Sequence, residues 1–349
     1  MKDQSQHGGD DSVNVQAGGA VNIEIRSGVT AAEVTDIALS IARDNMVQLR
    51  GYTQELVDAR IEHFVDLFIK RISEHPRAHL DAVKDPDVQY SLLVAEKEYA
   101  RSGDGRTAEL LVDLLVNRCT LEERGLQALV LNEAIDTVGR LTARQIRTLT
   151  ASWLVTRVVG PQVDDAATYS QWLTESIGPF FDIGEHISEY QHLAFLGCVS
   201  FDGPNRAIGY VVGQLHPWAF AKGFNRETIV PSLRSFNSLF KPCVNDPSLL
   251  QVNVGKRTSL DELAELNRLD VNEAATLRNL FTSNIMSEWE VQERLVAAHP
   301  PADQFIERWN NSKMLQVNVT SVGLAIAYAN WTRLLHAGGE LSVWIPESI

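Results

Sequence analysis

Residues 320–327 read Thr-Ser-Val-Gly-Leu-Ala-Ile-Ala. Placed on a helix, this run is apolar on nearly all sides, and a helix of that kind belongs inside a protein. The apolar part is far shorter than the roughly 20 residues of a membrane span. Gly323 and Ala327 stand four apart and are small, so another element can approach closely along their face. The reading is a helix over 321–336 that forms the buried spine of the C-terminal part.

Working outward, Leu315 to Val319 (LQVNV) precedes this helix and Leu341 to Ile345 (LSVWI) follows Ala337-Gly338-Gly339. Both runs alternate apolar and polar residues, the period of a strand. A strand–helix–strand unit in one sheet is parallel with a right-handed crossover. LQVNV also occurs at 250–254. Two readings stand: unrelated strands that share a favourable alternation, or neighbours in one sheet. Between the copies, Asp270 with Glu273 and Ser287 with Glu290 have capping-box spacing, which predicts helices over 272–281 and 288–298. A short helix follows over 302–309. Upstream, helices are expected over 167–177 and 187–196, a short strand at 198–201, and a helix over 228–240 with Pro231 in its first turn. The run 207–215 suits either helix or strand.

The first half reads as helices only. Val57, Ile61, Phe64, Val65, Phe68 and Ile72 form one apolar stripe, ended by His75-Pro76, because proline disfavours a helical residue before it. Gly51 marks a break before that stripe. Asp85-Pro86 opens the next helix. Further helices are expected from Thr107, from Thr120 (capped with Glu123) and from Thr142 (capped with Gln145). Residues 29–160 therefore read as a helical bundle.

The opening differs. Ser12 to Ile25 holds Val13-Asn14-Val15 and Val21-Asn22-Ile23 around Gln16-Ala17-Gly18-Gly19: two alternating phrases separated by turn residues. A lone two-stranded ribbon is marginal in water, so these strands need another surface. The apolar positions Val13, Val15, Val21, Ile23 and Ile25 are the candidate assembly residues. The expected fold is mainly α, with an N-terminal β segment (1–28), a helical domain (29–160) and an α+β domain (161–349) with a small sheet.

Composition narrows the function classes. The chain of 349 residues carries a formal net charge of −14, which repels a phosphate backbone and disfavours general nucleic-acid binding. Arg140, Arg144 and Arg147 share a helix face, read as solvated rather than as a phosphate site. The three cysteines, Cys119, Cys198 and Cys243, are widely spaced among apolar neighbours, the pattern of buried thiols rather than a disulfide framework. The first residues have no apolar run of a signal peptide, and no membrane segment is evident, so a cytoplasmic protein is expected.

Motifs for chemistry are sparse. Gly255-Lys256 matches part of a phosphate-binding loop, but Leu250 and Arg257 stand where the motif needs glycine and Ser or Thr. Glu185, His186, Glu189 and His192 cluster in one helical stretch. The histidines are six apart, not the four of a zinc pair. Glu189 and His192 share a face, so Glu185, Glu189 and His192 are the only acid–base candidates, and a convergence of the three in a concave pocket would support them. His75 and His79 are separated by a proline that breaks their helix. No cofactor or metal site is expected.

Three pieces carry a resemblance: Asp10 to Gly18 (DDSVNVQAG), Leu131 to Ile135 (LNEAI), and the ending Thr320 to Ala327 with Leu341 to Ile345. The chain resembles a family of uncharacterised bacterial proteins with a Gln-Ala-Gly opening, a helical middle and this C-terminus. The resemblance brings no catalytic residues. It implies a bacterial cytosolic source, and similar openings on phage-defence proteins imply a conflict or sensing role. The expected function is a non-enzymatic, self-assembling interaction or sensor protein. Its partners would be further copies of itself and another protein, not nucleic acid or membrane. The alternatives are an enzyme with a site assembled from scattered residues in the C-terminal half, and a module binding a small molecule between the two halves.

Overall fold

The computed structural model describes residues 29–45, 53–256, 258–335 and 340–346. The opening repeat, with Val13, Val15, Val21, Ile23 and Ile25, and the break at Gly51 lie outside the described residues. The described chain is mainly helical. In order it forms α1 (Ala31–Asn45), α2 (Thr53–Glu74), α3 (Pro86–Ser102), α4 (Gly105–Arg118), α5 (Leu126–Val138) and α6 (Ala143–Arg157). These are followed by α7 (Ala166–Trp172), α8 (Ile187–Phe195), β1 (Val199–Ser200), α9 (Ile208–Leu215), β2 (Phe240–Pro242) and β3 (Leu250–Val252). The C-terminal elements are α10 (Leu260–Leu266), α11 (Val271–Ser283), α12 (Glu288–Ala298), α13 (Ala302–Asn310), β4 (Asn318–Val319) and α14 (Ser321–Leu335).

Local chemistry sets most of these ends. Asp85 caps α3 by accepting from the Asp87 N–H, with Pro86 in the first turn. Capping boxes close the N-termini of α6 (Thr142, Gln145), α10 (Ser259, Glu262), α11 (Asp270, Glu273) and α12 (Ser287, Glu290). α5 is an exception: it starts at Leu126 behind Gly125, not at Thr120. The Thr120 hydroxyl instead donates to the Asn117 carbonyl, closing the end of α4.

α14 is the spine, but of a larger body than its position in the sequence suggests. Residues 323 to 330 are all buried, and the helix packs on α4, α5 and α6. The fit is close: a Cβ on Gly323 would overlap the Cys198 carbonyl. Trp153 of α6 is fully buried and meets Tyr328, Trp331 and Trp344 edge-on, with ring centres 5.3–6.1 Å apart. One apolar core runs from Val34 to Ile345 and includes residues on both sides of position 160. A second, smaller core gathers Phe224, Ile229, Leu233, Leu239, Val252, Val254, Leu263 and Leu277.

Several strand expectations fail, for one reason. The two LQVNV copies do not share a sheet. The first supplies β3, antiparallel to β2, while Asn318–Val319 of the second forms β4, antiparallel to β1. Residues 313–316 coil into a 3-10 turn that shortens the second copy. Leu341–Val343 is also a 3-10 turn, so the parallel strand–helix–strand unit does not form. Alternation reports burial on one side; a short turn that buries Leu341 and Ile345 produces the same pattern. The helix expected over 228–240 is replaced by 3-10 turns at 226–228, 231–233 and 237–239. There the Arg234 guanidinium donates to the Ile229 and Glu227 carbonyls at 2.7 and 2.9 Å; a helix would need the Ile229 oxygen for the Leu233 N–H, which bonds the Val230 carbonyl instead. The ambiguous run at 208–215 is helical, and Gly209 lets α9 lie directly on the backbone of Glu288.

Candidate functional site

The acid–base candidates do not converge. Glu189 turns its carboxylate back onto the start of its own helix, accepting from the N–H groups of Glu185 and His186 at 3.0 and 3.1 Å. His192 is exposed, with Nδ1 3.0 Å from the Gln145 side-chain nitrogen. Glu185, also exposed, pairs with Arg308 at 3.1 Å. Each group is held in a structural contact: Glu189 and His192 on α8, Glu185 in the chain before it. Arg144, Arg147 and Arg308 gather around Asp182, and Arg140 donates to the Asp136 carbonyl. That face is one of internal ion pairs. Lys256 serves the fold as well, bonding the Pro161 carbonyl at 2.7 Å and Asp164 at 3.2 Å. All three cysteines are buried and free. Among the described residues no group of three or more His, Cys, Asp or Glu is placed to hold a metal ion.

A charged cleft stands elsewhere, where α2 and α4 meet the C-terminal end of α14. It has a volume of about 470 Å3 and is lined by Leu67, Lys70, Arg71, Glu74, Glu109, Val112, Thr332 and Arg333. Two ion pairs organise it. Arg71 of α2 binds Oδ1 of Asp113 on α4. Arg333 of α14 binds Glu109 of α4 at 2.7 Å and the Asn330 side-chain oxygen at 3.1 Å. Asn330 in turn donates to Thr150 at 2.9 Å, which anchors the pair to α6.

These pairs leave polar atoms without partners. Oδ2 of Asp113 and Nε of Arg333 are buried and make no hydrogen bond. An unpaired buried polar atom costs on the order of 1–3 kcal/mol. Burial pushes the Asp113 carboxyl up to about 6, against the pull of Arg71 and Arg333 and with the push of Glu109. The cleft thus presents cations (Lys70, Arg71, Arg333) and carboxylates (Glu74, Glu109) side by side. Such a lining suits a small ligand that carries both signs of charge. The apolar Leu67 and Val112 also line it.

The signal for this cleft in the sequence is slight but physical. Asp113 interrupts the run Leu110-Leu111-Val112-Asp113-Leu114-Leu115, and an acid inside an otherwise buried helix face is informative. Its partners are remote: Arg71 lies 42 residues away, and Glu109 lies 224 residues from Arg333. Periodicity along one helix cannot reveal such pairs.

Two further buried polar groups belong to the core. Glu96 of α3 is fully buried, neither carboxylate oxygen has a hydrogen bond, and burial raises its carboxyl to about 8. His216 is fully buried against Tyr169, ring centres 4.8 Å apart. Its Nε2 accepts from the Gly160 N–H at 3.3 Å, and burial lowers it to about 4.

No helix of the described residues is long and apolar enough to cross a membrane. No curated protein and no solved structure matches the chain. One protein-family model does match, described only as ":-like", and it spans residues 28–345, from just before α1 to the turn after α14. A match over that length covers both apolar cores, the charged cleft and the whole described fold, and the chain belongs to this uncharacterised family.

Proposed function

We propose that the protein is a non-enzymatic interaction or sensor protein that assembles with copies of itself through residues 12–25. The charged cleft between α2, α4 and α14 carries the sensor half of this reading. It joins helices from opposite ends of the chain, so a ligand seated among Lys70, Arg71, Glu74, Glu109 and Arg333 bears on both at once and stabilises their packing. A bacterial source and a part in phage defence belong to the same reading, motivated by the family resemblance alone. The test is the solution mass of the full chain and of a chain starting at Gly28, by light scattering after size exclusion. The expected result is a drop in mass with unchanged helical circular dichroism. An unchanged mass, or a loss of helical signal along with the assembly, overturns the assembly role.

A second reading has a specific observation in its favour: a module that binds a small zwitterion in the same cleft. Thermal melting of the full chain with free amino acids would show a rise that Arg333→Met removes. No rise across the set sinks it.

A further inference from the structure

The second core carries a cavity of a different character. It has a volume of about 290 Å3 and is lined by Arg226, Ile229, Arg234, Asn237, Phe240, Lys241, Pro242 and Leu250. Its lining holds three cationic side chains and no carboxylate, in a chain whose formal net charge is −14. None of the three has a carboxylate within ion-pair distance among the described residues; the cations of the α2–α4–α14 cleft, by contrast, include two held in ion pairs.

The three cations are held by neutral groups. Arg226 donates to the Asn237 side-chain oxygen at 3.3 Å. Arg234 is pinned by the Ile229 and Glu227 carbonyls, through Nε and Nη2. Lys241, on β2, donates to the Val254 carbonyl at 3.1 Å. These bonds orient the charged heads without cancelling their charge. Burial lowers the Lys241 amine below the usual lysine range, and Asp164, beyond ion-pair distance, opposes that shift. The apolar wall is equally specific: the half-buried Phe240 and Leu250 and the buried Ile229 flank the cations. A guanidinium fork is matched to phosphate oxygens, and an aromatic and aliphatic wall is matched to a flat apolar body.

We propose that the cavity formed by Arg226, Arg234, Lys241 and Phe240 binds a small phosphorylated molecule, its phosphate on the three cations and its body against Phe240 and Leu250. The 3-10 turns of this region and β2 together place Arg226, Arg234 and Lys241 around the one cavity. The inference does not rest on the assembly or sensor reading, since it concerns a separate cavity on the second core.

The experiment is isothermal titration of the full chain with inorganic pyrophosphate, with a short single-stranded oligonucleotide titrated in parallel. Saturable pyrophosphate binding is expected, weakened at least about tenfold by Arg226→Glu, whose side chain is exposed and whose single bond is to Asn237. Arg234→Lys, which keeps the charge and removes the fork, gives a smaller loss. Both variants are compared with the parent by thermal melting, and Arg226→Glu keeps its melting temperature. No saturable heat with the parent chain, or equal affinity in parent and both variants, overturns the proposal. Oligonucleotide binding tighter than pyrophosphate, lost in the same variants, overturns the small-molecule source in favour of a nucleic-acid strand.

Discussion

The two cores are built by different means. The larger one is made of long helices around α14, with a Trp153 cluster and buried small residues where elements touch. The smaller one, over residues 224–281, has eight buried apolar side chains, a two-stranded ribbon and three successive 3-10 turns. The first gains from cooperative backbone bonding along each helix, so its stability is spread over many elements. The second depends on side chain to backbone bonds such as those of Arg234, which hold irregular chain in place. The difference teaches where function is to be sought: irregular chain leaves carbonyls free to hold charged heads around a cavity.

The largest expected effect breaks the first core. Trp153→Ala removes the ring that Tyr328, Trp331 and Trp344 pack against, and is expected to cost about 3–5 kcal/mol in urea unfolding. Leu277→Ala, fully buried in the smaller core, is expected to cost about 2–3 kcal/mol. The informative feature is the shape of its transition. A separate early phase would mean that the two cores unfold independently, and one sharpened common transition would mean that they do not.

The pH dependence sharpens the comparison further, because the isolated buried ionisable groups sit in the larger core. Folded Glu96 holds its proton up to about 8, whereas the unfolded group releases it near 4.5. Over that interval the folded state binds more protons, so stability falls as pH rises, by up to about 1.4 kcal/mol per pH unit. His216 acts oppositely: it stays neutral down to about 4 when folded and takes a proton near 6.5 when unfolded. Its contribution therefore rises with pH between those values. Between about pH 4.5 and 6.5 the His216 rise is offset by Glu96 and by Asp113, whose carboxyl is raised to about 6, so chemical unfolding of Glu96→Gln is expected to lose the decline between about pH 6.5 and 8. An unchanged alkaline slope would place its origin outside Glu96. The smallest effect belongs to a cap: Thr142→Ala, which breaks the capping box of α6, is expected to cost about 1 kcal/mol by thermal melting.

The charged cleft stands between these extremes. Its residues sit on regular helices that could be placed from the sequence, yet its ion pairs link positions that no local pattern connects. The acid–base candidates Glu185, Glu189 and His192 show the converse. They are close in sequence, and the structure gives each a capping or surface role. Proximity along one helix was the signal available, and helix caps generate that same signal.

Most helix positions, the capping boxes of α6 and α12 and the buried character of 323–330 were written in the sequence, because they follow from contacts a few residues apart: Thr142 with Gln145, Ser287 with Glu290, and an apolar run without a polar side. Tertiary structure alone decided the rest. It assigned α14 to α4, α5 and α6, sent the two LQVNV copies to different sheets, and turned 341–343 into a 3-10 turn. It also brought Arg333 to Glu109 and Arg226 to Arg234 and Lys241. Alternation and amphipathicity state that one side of a segment is buried, and the surface that buries it is supplied by residues far along the chain.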